Sequence, residues 1–502
     1  MIRLRYVDSQ IALRAYRLVR LVAALALCSG FLVACGFEHV PHRLGEQSGV
    51  HSPEYDLRFV EADDEGWFWD PSQAVAALSL IEESVRTNDT IVVLYVHGWH
   101  HSSACCDGNV EGFKEVLHRL RPELQKPMYV EARRRAHPKS DVPDAIRVIG
   151  IYVGWRGRSL PSFLDYSTFW GRKAAAERVG HADLQEFMIR MQQVYDRHYA
   201  APKAGNPVAK PFLGIVSIGH SFGGQVMLNA TSWFFENELQ QVNPTPGYLR
   251  SDSAAKRGPS LSAPLRGFGD LVILVNPAVE AAAYQRVHAL AQGVRYSPFQ
   301  TPVLLTISAD NDAPRHSLFE FGRIAGEFFT AAPHKDDVRE REMKRQALGV
   351  YGPDGVQVTH RLEPTDLSMR LELTQLSNSH ESFCSAERQC SFDWYSWVKQ
   401  PSKVTPDTLD SSELTEALAK RVATFDFSKE VVFGDVVLKP GPKAIDYQAM
   451  IVASAHPGVI DGHNGMYSEP FMNFLIRYIG FTEAKKYLLA AQRNNLMSTV
   501  AK

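Results

Sequence analysis

Ser221 stands in the run Gly219-His220-Ser221-Phe222-Gly223-Gly224, a G-x-S-x-G pentapeptide. The aliphatic stretch Leu213–Ile218 precedes it and a helix-like pattern over Gln225–Phe235 follows. A serine on a sharp strand-to-helix turn has its hydroxyl lifted above the sheet. Glycines two residues to either side let backbone approach where a Cβ would clash, and the helix beyond aims amide N–H groups at developing negative charge. The chemistry open to such a hydroxyl is attack on an acyl carbonyl, provided that a base removes its proton and an acid orients that base. As a bare pentapeptide the pattern also fits an ordinary tight turn; the flanking strand and helix set it apart.

The elements that must hold this serine are short, nearly continuous apolar runs. They are Ile91–Val96, Ile146–Val153, Leu213–Ile218, Leu271–Asn276 and Val303–Ile307, with a weaker candidate at Ala449–Ala453. Such runs suit strands buried on both faces of a parallel sheet, where alternation is lost. Helical patterns lie between them, for example Asn109–Leu120 and Leu184–Arg197. The β-α-β rhythm predicts an α/β fold, a mostly parallel, doubly wound sheet with helices on both faces. Two long stretches, about 156–210 and 326–443, interrupt it, and the second carries the charge-dense run Lys335–Arg345, read as a solvated helix face.

On these motifs the chain resembles the α/β-hydrolase superfamily, in particular a branch of bacterial serine esterases, from about Val92 to Ile479. The resemblance implies further residues. After the strand Ile91–Val96 stands His97-Gly98-Trp99-His100-His101. In that family an H-G turn here supplies one backbone donor of an oxyanion hole, and the residue after the nucleophile supplies the other. The donors would be Trp99, with His100 as the alternative, and Phe222. The family order Ser, acid, His directs attention to Ser308-Ala309-Asp310-Asn311-Asp312-Ala313-Pro314 after the strand Val303–Ile307. Asp312 matches the N-D segment of the esterase branch and Asp310 matches a D-x-x-x-P pattern; Asp312 is taken as the acid and Asp310 as the alternative. His463, in the loop Asp461-Gly462-His463-Asn464-Gly465, is the base, with His456 as the alternative and His360 and His380 set within the insertion. An imidazole on an exposed loop, titrating near neutrality, suits a proton shuttle. Gly154-Trp155-Arg156 and Thr168-Phe169-Trp170-Gly171-Arg172-Lys173 resemble segments of the same branch; aromatic packing is the preferred reading and acyl-chain contact the alternative.

The N-terminus carries Arg3, Arg5, Arg14, Arg17 and Arg20, then the apolar run Leu21–Ala34, the layout of an export signal too short to span a bilayer comfortably. Leu32-Val33-Ala34-Cys35-Gly36 resembles a bacterial lipobox, which implies acylation of Cys35 after cleavage and a lipid anchor in the cell envelope. Gly36 in place of an aspartate favours the outer membrane. An uncleaved anchor or ordinary signal cleavage is the competing reading. Export would put the remaining cysteines in an oxidising compartment, where Cys384 and Cys390 are the expected disulfide pair and adjacent Cys105 and Cys106 are not expected to bridge each other. The expected segments are a signal peptide at 1–34, a tether at 35–54, the core at 55–325, an insertion and candidate cap at 326–443, and the rest of the core at 444–502.

The 502 residues carry 54 Lys and Arg against 56 Asp and Glu, a net charge of −2 that gives no electrostatic reason to expect nucleic-acid binding. The expected activity is cleavage of a small-molecule or lipid ester through an acyl-enzyme, with no cofactor and no metal required by that chemistry. An amidase, thioesterase or acyltransferase would use the same residues. A silent envelope lipoprotein that only binds ligands is the rival outside enzymes. A metal cluster of His97, His100, His101, Cys105 and Cys106 competes with the oxyanion reading, although its spacing matches no standard zinc pattern. The sequence leaves oligomeric state and acyl-chain preference open.

Overall fold

The computed structural model describes residues 40–45, 49–136, 146–158, 168–199, 211–242, 260–261, 263–292, 294–312, 338–350, 357–365 and 426–500. Cys35, Cys384, Cys390, His380 and most of the 326–443 stretch lie outside these residues. The strands are β1 (Val50–His51), β2 (Asp56–Glu61), β3 (Asp89–Val96), β4 (Ile146–Gly154), β5 (Leu213–His220) and β6 (Leu271–Val275). They continue with β7 (Leu304–Ala309), β8 (His360–Pro364), β9 (Val431–Phe433), β10 (Val436–Pro440) and β11 (Met450–Ala455). All form one 11-stranded sheet in the order β1-β2-β4-β3-β5-β6-β7-β11-β8-β10-β9. From β2 to β8 every neighbouring pair is parallel; β1 at one edge and the β10–β9 hairpin at the other run antiparallel.

The helices are α1 (Pro71–Ser84), α2 (Gly108–Leu124), α3 (Pro127–Ala136), α4 (Phe169–His181) and α5 (Asp183–Tyr199). After them come α6 (Phe222–Val242), α7 (Ala281–Ala291), α8 (Val338–Arg345) and α9 (Glu469–Val500). Local chemistry sets several of their starts. Asp70 caps α1 by accepting from Ser72 N–H, with Pro71 preset for the first turn. Asp107 caps α2 in the same way through Asn109 N–H. The strands divide their side chains between two cores. Ile91, Val93 and Tyr95 of β3 face a core shared with α2, α3 and α9, while Val92, Leu94 and Val96 face one shared with α1, α4, α5, α6 and α7. Burial on both faces explains why the central strands read as unbroken apolar runs.

The chain leaves β3 towards β4 and then returns to place β5 on the opposite side of β3. In a sheet wound this way, the crevice at the carboxyl ends of the two strands flanking the reversal is where ligands bind. β3 ends at Val96, just before His97-Gly98-Trp99, and β5 ends at His220, just before Ser221.

Two parts of the sequence reading change. The tether assigned to 35–54 is in part structured: β1 lies within it, and the backbone N–H groups of His42 and Arg43 donate to the Glu61 carboxylate at 3.0 and 2.5 Å. The 326–443 insertion supplies β8, β9 and β10 to the sheet, so it is not wholly a separate cap. These strands are three to five residues long, and β8 alternates buried with exposed positions. The apolar runs of β9 (VVF) and β10 (VVL) are only three residues each, shorter than those that marked the central strands.

Phe474 of α9 is fully buried and packs edge-on to Phe433 of β9 at 5.3 Å between ring centroids. Phe474→Ala is expected to cost about 3–5 kcal/mol of unfolding free energy in a urea titration. A loss below about 1 kcal/mol would mean that this corner adds little to the core.

Candidate active site

Ser221 adopts φ 55°, a left-handed conformation in which a residue with a Cβ is strained. Its N–H donates to Val275 O at 3.0 Å, and its carbonyl accepts from Gly224 N–H and Ala278 N–H, each at 2.9 Å. The turn is thus fastened both to the end of β6 and to the start of α6. A Cβ on Gly223 would sit 2.1 Å from Val96 O, and one on Gly219 would sit 2.5 Å from Gly223 O, so both glycines are required by backbone packing.

His463 Nε2 is 2.7 Å from Ser221 Oγ, and His463 Nδ1 is 2.8 Å from Asp312 Oδ2. Ser221 and Asp312 are buried, whereas the His463 side chain keeps 17% of its surface exposed. The three side chains form an unbroken line in which the imidazole can take a proton from the hydroxyl while the carboxylate holds the ring. The alternatives lie elsewhere. Asp310 is bound to Ser454 Oγ and faces Arg361 at 3.5 Å. His456 Nδ1 accepts from Gly458 N–H, and buried His360 meets Phe427 O at 2.8 Å. Two residues along a chain turn separate a carboxylate aimed at the imidazole from one aimed at a strand end.

The H-G turn abuts the serine: a Cβ on Gly98 would lie 2.6 Å from Ser221 Cβ and 3.3 Å from Oγ. His100, at φ 72°, spends its N–H on Gly157 O at 3.1 Å, and Gly157 N–H donates to His101 O at 3.1 Å. That clamp occupies the His100 N–H. Phe222 is the first residue of α6, where a backbone N–H has no intrahelical acceptor.

His97 fixes the turn through its ring. Nδ1–H donates to Gly98 O at 2.9 Å, and Nε2 accepts from Trp155 N–H at 3.0 Å, an arrangement that needs the neutral imidazole. Trp155 returns a bond from Nε1–H to His97 O at 2.9 Å and stacks on the ring at 5.6 Å. With both nitrogens engaged, His97 has no lone pair to offer a metal. Among the described residues no group of three or more His, Cys, Asp or Glu side chains is gathered to hold one. Cys105 and Cys106 are exposed free thiols with Sγ atoms 3.4 Å apart.

The segments resembling the esterase branch brace this region. Arg156 and Arg172 both pair with Asp64. Burial raises the Asp64 pKa, yet the hydrogen bonds and charges of the two arginines outweigh it and hold the carboxyl below its ordinary range. Phe169 packs on Trp99 and Phe222 at 5.2 and 5.0 Å between centroids.

Several positioning groups escaped the sequence reading. Asn276 Nδ2 donates to His463 O at 2.8 Å and its Oδ1 accepts from Ala309 N–H at 2.8 Å, while Asn276 itself sits at φ 45°. His220 Nε2–H donates to the same His463 carbonyl at 2.9 Å. Asn311 holds the loop from the other side, accepting from Gly462 N–H at 2.8 Å and donating to Asp461 at 2.7 Å. A polar residue ending an apolar strand, as Asn276 does, was the available signal.

Comparison with protein-family models, with curated proteins and with solved structures gives no match.

Burial pushes the pKa of His97 down to about 4; burial, and next the charge of His463, push that of His220 down to about 3. Both values lie below the ordinary imidazole value of 6.5, so the unfolded chain takes up protons that the folded chain refuses. Stability is therefore whole above pH about 6.5 and lost as pH falls towards 4, by up to about 2.7 kcal/mol per pH unit for the two groups together. Unfolding free energies measured from pH 7.5 to 4.5 test this, and His97→Asn should lower the slope by up to about 1.4 kcal/mol per pH unit. A wild-type profile without slope over that interval would contradict the neutral buried pair.

Proposed function

We propose that this chain is a serine hydrolase of the α/β-hydrolase superfamily that cleaves carboxylic esters. The observation that carries the reading is the line Ser221 Oγ, His463, Asp312, with contacts of 2.7 and 2.8 Å. Ser221 Oγ attacks the ester carbonyl as His463 Nε2 takes its proton, and Asp312 steadies the imidazolium that forms. The amides of Trp99 and Phe222 receive the charge on the carbonyl oxygen. His463 then returns the proton to the departing alcohol, and a water activated by the same imidazole releases the acid and frees the serine. Every step uses groups of this chain and water. The leader and Cys35 support a second part of the reading: an envelope protein held to a membrane by an acylated cysteine, acting on small-molecule or lipid esters.

Ser221→Ala is expected to abolish labelling by a fluorophosphonate and to lower hydrolysis of a short p-nitrophenyl ester by roughly 10⁴-fold or more. Asp312→Asn should lower kcat by about 10⁴-fold, whereas Asp310→Asn should leave it within a few-fold of wild type. Labelling that survives in Ser221→Ala would overturn the nucleophile, and absence of labelling in the folded wild type would favour a binding protein.

A further inference from the structure

The loop between β2 and α1, Ala62 to Asp70, is built to hold aromatic rings in solvent. Asp63 Oδ1 accepts from Glu65 N–H and Trp67 N–H, both at 2.9 Å, and Asp63 N–H donates to Trp67 O at 2.9 Å. Phe68 N–H donates to Asp183 at 2.8 Å, which ties the loop to the start of α5. Gly66 packs so close to Ala182 that a Cβ would lie 2.5 Å away. On this fixed frame Trp67 is 65% exposed and Trp69 47% exposed. An indole left in water on an ordered loop costs hydrophobic free energy that flexibility does not relieve.

Other exposed apolar side chains stand on the segments that adjoin this loop. Val40 lines the same cavity of about 210 Å³ as Trp69. Leu44 precedes Gly45, whose N–H donates to Asp70 at 3.0 Å, and Val75 lies in the first turns of α1. All three are more than 60% exposed. The carboxylates nearby are already partnered: Asp64 with Arg156 and Arg172, and Glu65 with Arg178 at 3.1 Å. Asp63 and Asp70 have no cationic partner among the described residues but are held by hydrogen bonds, from Glu65 and Trp67 N–H and from Gly45 N–H and Ser72.

We propose that Trp67 and Trp69, flanked by Val40, Leu44 and Val75, form a membrane-facing patch that seats the protein on the headgroup region of a phospholipid bilayer. Indole suits that depth because its body is apolar and its N–H remains hydrogen-bonded. Chain length argues for a bilayer over another occupant, and this step rests on the proposed acylation of Cys35. Only five peptide units join Cys35 to Val40, a span of at most about 18 Å when fully extended. An acyl chain on Cys35 therefore keeps the patch within reach of the membrane.

The test uses the full chain bound to phosphatidylcholine vesicles that contain a brominated phosphatidylcholine, a short-range quencher of indole fluorescence. Wild type is expected to lose part of its tryptophan emission, and Trp67→Phe/Trp69→Phe is expected to lose that quenched component. Vesicle flotation supplies the second arm: Cys35→Ala should weaken association, and adding Trp67→Ala/Trp69→Ala should weaken it by roughly tenfold or more again. Hydrolysis of a soluble ester should be unchanged by the tryptophan substitutions, which reports that these variants fold. Equal quenching in wild type and the double phenylalanine variant would overturn the patch, as would tryptophan-dependent dimerisation in its place. Loss of association in Cys35→Ala without indole quenching would leave the anchor and remove the patch. Quenching with association untouched by Cys35→Ala would leave the patch and remove the anchor.

Discussion

The hydrogen bond from Ser221 N–H to Val275 O holds a residue with a Cβ at φ 55°, a conformation that it would leave if released. The neighbouring structure follows from keeping that bond. β5 and β6 must lie side by side, and α6 must begin at once so that its first turn closes over the serine carbonyl. Gly219 and Gly223 are needed because the backbone of the turn and the end of β3 crowd into the space that larger residues would fill. The strain at Ser221 is offset by a sheet buried on both sides.

A second constraint concerns the imidazole. His463 lies on a loop, and a loop imidazole sweeps out many orientations unless its backbone is fixed. Here its carbonyl receives two donors, from His220 and Asn276, and its neighbours are held by Asn311. His220 is the residue before the serine, so one strand end positions both the hydroxyl and the ring it faces. On the proposed reading, positional precision between nucleophile and base comes from this shared anchor. The buried, neutral His97 gives the turn after β3 the same service by pinning Gly98 to Trp155.

Much of this was legible in the residue order because the central strands are buried on both faces and announce themselves as aliphatic runs. The serine turn was legible because glycine at fixed offsets has few other uses. The roles of Asp312 and Asp310 were not separable by spacing, since both follow the same strand; only the third dimension shows one carboxylate turned to His463 and the other to Ser454. The short strands β8, β9 and β10 went unread because their apolar runs are at most three residues long, too short to stand out in a long polar stretch. Asn276 and Asn311 went unread for a related reason: an amide that bonds to a distant backbone carries no periodic signal.

β11 lies between β7 and β8 although it is the last strand to leave the ribosome. Until residues 450–455 insert, β7 has an open flank and β8 has no parallel neighbour, and the loop bearing His463 has nowhere to attach. A nascent chain thus carries the serine turn long before it owns the imidazole that meets the serine hydroxyl.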